Sequence, residues 1–146
     1  MKTNFSVRLR RTLVATIALT SIGVGAIAAT QAQIPEVAVK ERASQRWQAL
    51  IAGKYEDAYK LLAPGMRAIQ SYMAYSNGIG AGAAWTAADV IRVECNDKQD
   101  NCTATIRVDS KALFPGMSMS KPQTISTHLE ETWIKQEGNW WFFPKS

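Results

Sequence analysis

Apolar residues recur every three or four positions in three successive segments of the chain, 37–52, 54–63 and 66–75. This spacing is typical of helices with one buried face. Gly53 follows the first segment and Pro64-Gly65 the second, and both are common punctuation between helices. The pattern therefore predicts three helices. Their predicted inward residues are Ala43, Trp47, Leu50, Ile51, Tyr55, Ala58, Tyr59, Leu62, Met66, Ile69, Tyr72 and Met73.

The spacing changes to an alternation of two after residue 84, which indicates half-buried antiparallel strands. Four strands are predicted, over residues 85–95, 102–110, 125–136 and 139–143, with Ile91, Val93 and Cys95 facing inward on the first. Residues 76–84 are rich in glycine and 111–123 contain two prolines, so both predict connections. Three N-terminal helices followed by about four antiparallel strands predict an α+β domain.

Glu137-Gly138 lies between two runs rich in β-formers and predicts a two-residue hairpin turn. That turn would pair Gln136 with Asn139 and place Trp133 opposite Phe142. Strand alternation then gives two faces, both of which end in aromatic residues. The first face holds Ile125, Thr127, Leu129, Glu131, Trp133, Trp140 and Phe142; the second holds Ser126, His128, Glu130, Thr132, Ile134, Trp141 and Phe143.

The first 32 residues have the composition of a secretory signal peptide. Lys2, Arg8, Arg10 and Arg11 precede an uncharged segment, 12–29, and Thr30-Gln31-Ala32 fits a signal-peptidase site. We expect cleavage after Ala32, with Ala28 as the second choice, and a periplasmic or secreted domain over residues 33–146. The alternative is an uncleaved membrane anchor, since these 18 uncharged residues, rich in Ala, Gly and Thr, approach the ~20 predominantly apolar residues needed to span a bilayer.

Removing this segment changes the meaning of the charge. The whole chain has 17 basic and 12 acidic residues, a net charge of +5, but four of the basic residues and none of the acidic ones lie in 1–32. The remaining domain has a net charge of +1, and its basic residues are spread singly. Nucleic-acid binding requires a clustered basic face, so no nucleic-acid partner is expected.

Cys95 and Cys102 are the only cysteines, and they flank a polar turn between the first two predicted strands. An exported protein meets an oxidising compartment, where such a pair is expected to form a disulfide. Metal binding is the alternative, but two ligands at this spacing with no nearby histidine make a poor zinc site. No metal site and no cofactor are predicted.

The chain resembles the nuclear transport factor 2-like superfamily, which includes ketosteroid-isomerase-like proteins. The resemblance lies in RWQALIAGKYEDAYKLLAP, in a strand ending in V-x-C, and in a hairpin of the form E-x-W-x-x-x-x-G-x-W. It implies a strongly curved, cone-like sheet around the helices, often with a pocket at its mouth. Members of that superfamily include isomerases, dehydratases and non-catalytic domains, so the fold alone leaves the function open.

Glu131 beside Trp133 is a candidate general acid or base, because an apolar cone would raise the pKa of its carboxyl group. The alternative is an ion pair with Arg67 or another cation. Asp89 and His128 are weaker catalytic candidates. The candidate binding residues of the pocket are Trp133, Glu131, Tyr59, Tyr72 and Trp85.

The leading functional hypothesis is an exported, non-catalytic domain that binds a ligand or a protein partner, such as an accessory subunit of an envelope complex. It rests on the aromatic residues of both sheet faces. Ile134, Trp141 and Phe143 of the outer face would meet the 111–123 segment, a second copy of the chain or another protein. The alternative hypothesis is an isomerase or dehydratase that acts on a hydrophobic small molecule in the cone pocket.

Overall fold

A computed structural model describes residues 34–79, 84–112 and 121–145, which belong to one compact unit, Ala32–Ser146. The expected signal peptide and its cleavage site lie outside the described residues. So do residues 80–83 and 113–120, which are parts of the two predicted connections. Of the other residues predicted as connections, 76–78 are helical and 111, 112 and 123 belong to strands.

Four helices precede the sheet: α1 (Pro35–Ile51), α2 (Tyr55–Lys60), α3 (Pro64–Ile69) and α4 (Tyr72–Gly78). Proline occupies the first turn of α1 and of α3, where its missing N–H costs no helical hydrogen bond. Gly53 ends α1 with a φ of 71°, a left-handed conformation that glycine adopts without a steric penalty.

The prediction of three helices is wrong, because the third segment divides into α3 and α4. Gln70 is extended, and the Ser71 hydroxyl accepts a hydrogen bond from the Ala74 amide at 3.2 Å, which caps a new helix. The break shifts the helical phase between the two segments. Tyr75 is therefore buried, whereas Ile69 and Met73, both predicted to face inward, are 79% and 65% exposed.

The four predicted strands are confirmed as β1 (Trp85–Cys95), β2 (Asn101–Ala112), β3 (Gln123–Gln136) and β4 (Asn139–Phe143). They form one antiparallel sheet in the order β1-β2-β3-β4. This is an open sheet with β1 and β4 at its edges, so the fold is α+β, and the predicted cone is not confirmed.

The inward orientation predicted for Ile91 is wrong. Val90 pairs with Ile106 and Arg92 pairs with Thr105, so Ile91 is the extra residue of a β-bulge. The bulge changes the alternation: Val90 is buried, whereas Ile91 is 51% exposed.

Both predicted hairpins are confirmed in register. Gln136 pairs with Asn139 and Trp133 with Phe142, and positive φ values of 51° at Glu137 and 76° at Gly138 fit a two-residue turn of the mirror-image type. At the other hairpin Cys95 lies opposite Cys102, and the two form a disulfide.

The hydrophobic core lies between α1 and the inward face of the sheet, where the first face predicted for β3 and β4 points. Trp133 is fully buried, as are Ala43 of α1 and Ala104 of β2, whose small side chains allow the helix to approach the strands closely. The chain between α2 and α3 covers the free edge of β4: the Phe142 amide donates to the Leu61 carbonyl and the Ala63 amide to the Phe142 carbonyl.

Candidate functional site

Glu131 lies on the inward face of β3 and is 4% exposed, as its position in the strand alternation predicts. Its carboxylate forms an ion pair with Arg46 of α1. The indole N–H groups of Trp47 and Trp133 also donate to it, at 2.9 and 3.3 Å. An ion pair with Arg67 or another cation was the predicted alternative, and the cation is Arg46.

Arg46 occupies a position on the inward stripe of α1, one helical turn from both Ala43 and Leu50. Its guanidinium carbon lies 3.8 Å from the centroid of the Phe142 ring, so the cation is held between the carboxylate and an aromatic face. Its Nε atom and the nearby Tyr75 hydroxyl are buried without a hydrogen-bond partner among the described residues.

Burial raises the pKa of the Glu131 carboxyl, because it disfavours the charged form, while Arg46 and the two indole donors oppose that effect. Burial also raises the pKa of the Tyr75 hydroxyl. Three donors occupy most of the roughly four acceptor positions of the carboxylate. The arrangement joins α1 to β3 and leaves little of Glu131 available to a substrate.

Asp89 and His128 do not join Glu131, because they lie on the opposite face of the sheet. Arg107 pairs in register with both of them across β1, β2 and β3. It forms an ion pair with Asp89, and both side chains of that pair are about half exposed, at 45% and 59%. His128 is also exposed. The three weak catalytic candidates therefore form no common site.

The candidate binding residues divide into separate ring contacts. Trp85 packs edge-on against Trp47, with ring centroids 5.2 Å apart. Tyr59 packs against Tyr72 at 5.7 Å and donates its hydroxyl to the Gln70 carbonyl at 2.7 Å, which fixes α2 against the start of α4. Trp133 is part of the core.

Among the clefts on the described surface, two lie between α1 and the sheet. One of about 180 Å³ lies between α1 and β1, beside Val37 and Val90. The other, of about 220 Å³, lies between α1 and the β3–β4 turn, beside Arg42 and Trp140. Neither is lined by Trp133, Glu131, Tyr59, Tyr72 or Trp85.

The second face of β3 and β4 carries the aromatic residues that predict a partner surface. Ile134 pairs with Trp141, and both are half-buried, whereas Phe143 is 40% exposed. Two arginines that were not predicted to lie here flank Trp141: the guanidinium carbons of Arg42 and Arg67 lie 5.1 and 5.4 Å from its ring centroid. We call Ile134, Trp141, Phe143, Arg42 and Arg67 the outer edge.

Arginine side chains thus pack over the Trp141 ring, and strand alternation alone does not predict this packing. The Trp141 indole N–H donates to the Gln136 carbonyl at 3.3 Å, which orients the ring. The signal for this arrangement in the sequence is weak, because Arg42 and Arg67 are distant from Trp141 along the chain and lie on different helices.

Within the part of the chain that the structure describes, no helix is long and apolar enough to cross a membrane. The same residues contain no group of three or more histidine, cysteine or acidic side chains placed to hold a metal ion.

These features define a small α+β domain with a buried ion pair inside and an aromatic outer edge. No protein-family model matches the chain, and no curated protein matches it either. Among solved structures, it is similar to a SEC-C motif containing protein from Psychrobacter arcticus, with a TM-score of 0.57 and 15% sequence identity. That match covers 76% of this chain and 61% of the Psychrobacter chain.

A SEC-C motif containing protein from Rhodopseudomonas palustris also matches, with a TM-score of 0.48, 13% identity, and coverage of 66% of this chain and 68% of the other. The resemblance to the nuclear transport factor 2-like superfamily is wrong, because the Psychrobacter protein, which shares the fold, is a SEC-C motif containing protein and belongs to a different fold family. Helix order and a Trp-Gly-Trp hairpin are not specific enough to distinguish these two fold families.

Proposed function

We propose that this chain is an exported, periplasmic domain without catalytic activity that binds a protein partner through its outer edge, as an accessory subunit of an envelope complex. The observation that carries the proposal is the separation of polar groups from exposed aromatic surface. Glu131 is occupied by three donors inside the domain, whereas Phe143 stays 40% exposed at the outer edge.

The outer edge has the composition that protein interfaces favour. Aromatic residues and arginine are enriched in interface centres, and here Trp141 and Phe143 lie beside Arg42 and Arg67. Elsewhere this sheet face contains exposed ion pairs such as Asp89–Arg107 and Glu130–Lys145. A partner surface is therefore expected at one end of the face.

The test is affinity capture of the tagged full chain from its native envelope, with quantitative mass spectrometry. Phe143→Ser removes an exposed aromatic side chain from the outer edge. Ile91→Ser is the matched control, because Ile91 is an exposed apolar residue at the opposite edge strand. We expect the serine at position 143 to reduce partner recovery by about tenfold or more, and the serine at position 91 to leave it unchanged. Equal recovery with all three proteins would contradict the proposal.

A second copy of the chain could also occupy the outer edge. Size-exclusion chromatography with light scattering separates this case, since a homodimer of the wild type would become monomeric on Phe143→Ser. If the wild type is a monomer in solution and Phe143→Ser reduces partner recovery, the partner at the outer edge is a different protein.

A cone-pocket isomerase or dehydratase is the second candidate, and the raised pKa of Glu131 favours it. Two observations favour the partner-binding domain instead. Three donors already occupy the Glu131 carboxylate, and Asp89 and His128 lie on the opposite face of the sheet. An NMR titration decides part of this question: a Glu131 pKa at the ordinary value of 4.5 would remove the enzymatic candidate.

A further inference from the structure

The described domain contains five arginines, and their partners divide them into two groups. Arg46, Arg92 and Arg107 each form an ion pair with a carboxylate. Arg42 and Arg67 form none among the residues that the structure describes. Both of these arginines flank the same ring, that of Trp141.

The Nε atoms of the two guanidinium groups have different environments. Arg42 uses its Nε atom to donate to the Trp140 carbonyl at 3.0 Å. The Nε atom of Arg67 is buried and has no hydrogen-bond partner among the described residues. Buried polar groups are nearly always paired in folded proteins, so an acceptor from a bound partner would be favourable here.

Two partly desolvated cations near one ring require a counter-charge for full stabilisation. Burial lowers the pKa of the Arg42 guanidinium, because it disfavours the charged form. The Trp141 ring attracts both cations through its face, but it offers no acceptor for their N–H groups. A carboxylate would supply both the charge and the acceptors, because its oxygens match the fork of a guanidinium.

We propose that the partner bound at the outer edge presents an acidic segment, whose carboxylates pair with Arg42 and Arg67 while an adjacent apolar side chain packs on Phe143. This inference rests on the proposed function, since it names the chemistry of the partner at the same surface. Phe143 follows Trp141 on the same face of β4 and is 40% exposed, so it can take that apolar contact.

The test uses the protein purified after expression of the full chain and a fluorescein-labelled decapeptide that alternates aspartate and leucine. Fluorescence anisotropy measures its affinity for the wild type and for Arg42→Gln and Arg67→Gln. Arg92→Gln is the matched control, because it removes the same charge from an arginine that already has a carboxylate partner. A peptide with lysine in place of aspartate tests the sign of the charge.

We expect each of the two outer-edge variants to weaken binding of the acidic peptide by about tenfold or more, since hydrogen bonds to charged groups are the strong ones. Arg92→Gln should change the affinity less than about twofold, and added salt should weaken wild-type binding. Circular dichroism confirms that each variant is folded. Equal affinities across the three variants, or equal binding of the lysine peptide, would overturn the inference.

Inorganic phosphate is the second probe. If phosphate binds the wild type and the acidic peptide does not, the site takes small anions and the inference is wrong. The capture experiment separates the proposed function from this inference. If partner recovery falls with Phe143→Ser but not with Arg42→Gln or Arg67→Gln, the outer edge remains the partner surface and the acidic segment is rejected.

Discussion

At the scale of single residues, the ion pair between Arg46 and Glu131 holds α1 on the sheet. Strand alternation predicts Glu131 on the inward face. The sequence also shows that Arg46 lies on the inward side of α1, between Ala43 and Leu50. Their pairing is not predictable from either segment alone. The two positions are 85 residues apart, and only the packing of α1 across the sheet brings them together.

Replacing Arg46 with methionine should lower the free energy of unfolding by about 3–5 kcal/mol near pH 7, because it leaves a buried carboxylate without its counter-ion. The matched double variant, Arg46→Met with Glu131→Gln, removes both charges and keeps an acceptor for the two indoles. It should recover more than half of that loss. Urea denaturation of both proteins measures the difference, and a double variant as unstable as the single one would argue against the ion pair as the cause.

The raised pKa of Glu131 also predicts how stability depends on pH. The folded state binds a proton more tightly than the unfolded state, whose carboxyl has the ordinary pKa of 4.5. The resulting stabilisation is fully present below pH 4.5 and is lost as the pH rises through the folded-state pKa. Relative to Glu131→Gln, the wild type should therefore become less stable as the pH rises above 4.5. Thermal unfolding across a pH series checks this; parallel profiles would contradict it.

At the scale of elements, periodicity predicts all four strands and both hairpins, because alternation and turn residues are local signals. It misses the division of the third helical segment and the bulge at Ile91. Both depend on tertiary context: Ser71 caps α4 only because the chain turns at Gln70, and the bulge is defined by pairing with β2.

The β3–β4 turn gives a prediction at this scale. Gly138→Ala should destabilise the domain by roughly 1–2 kcal/mol, because an L-residue is strained at a φ of 76°. Gly65→Ala is the control: it lies in α3 with open space around the added methyl group. Helix propensity predicts that it is neutral or stabilising by up to about 1 kcal/mol. Equal losses at both positions, measured by urea denaturation, would count against the turn assignment.

The Cys95–Cys102 disulfide closes a short loop and stabilises the first hairpin mainly by restricting the unfolded chain. Changing both cysteines to alanine should cost about 2.5 kcal/mol in the chain-entropy account. The wild type should lose a similar amount when denatured in the presence of reductant, and the double variant should be insensitive to reductant. A variant as stable as the oxidised wild type would show that the disulfide contributes little.

At the scale of the whole molecule, export and partner binding are the two linked proposals. N-terminal sequencing of the protein recovered from its native envelope tests export, with Gln33 expected as the first residue. A fold class could be predicted from the order of elements, whereas the family could not, since helix order and a Trp-rich hairpin occur in more than one fold family. The outer edge required three-dimensional contacts, because its arginines come from α1 and α3.

Site-specific photocrosslinking in the native cells tests the central claim most directly. A photoreactive phenylalanine analogue at position 143 should yield a discrete adduct of higher mass with a partner, because this side chain lies at the bound surface. The same analogue at position 91, exposed on the opposite edge strand, should yield none. Absence of an adduct at position 143, or the same adduct at both positions, would contradict a partner-binding outer edge.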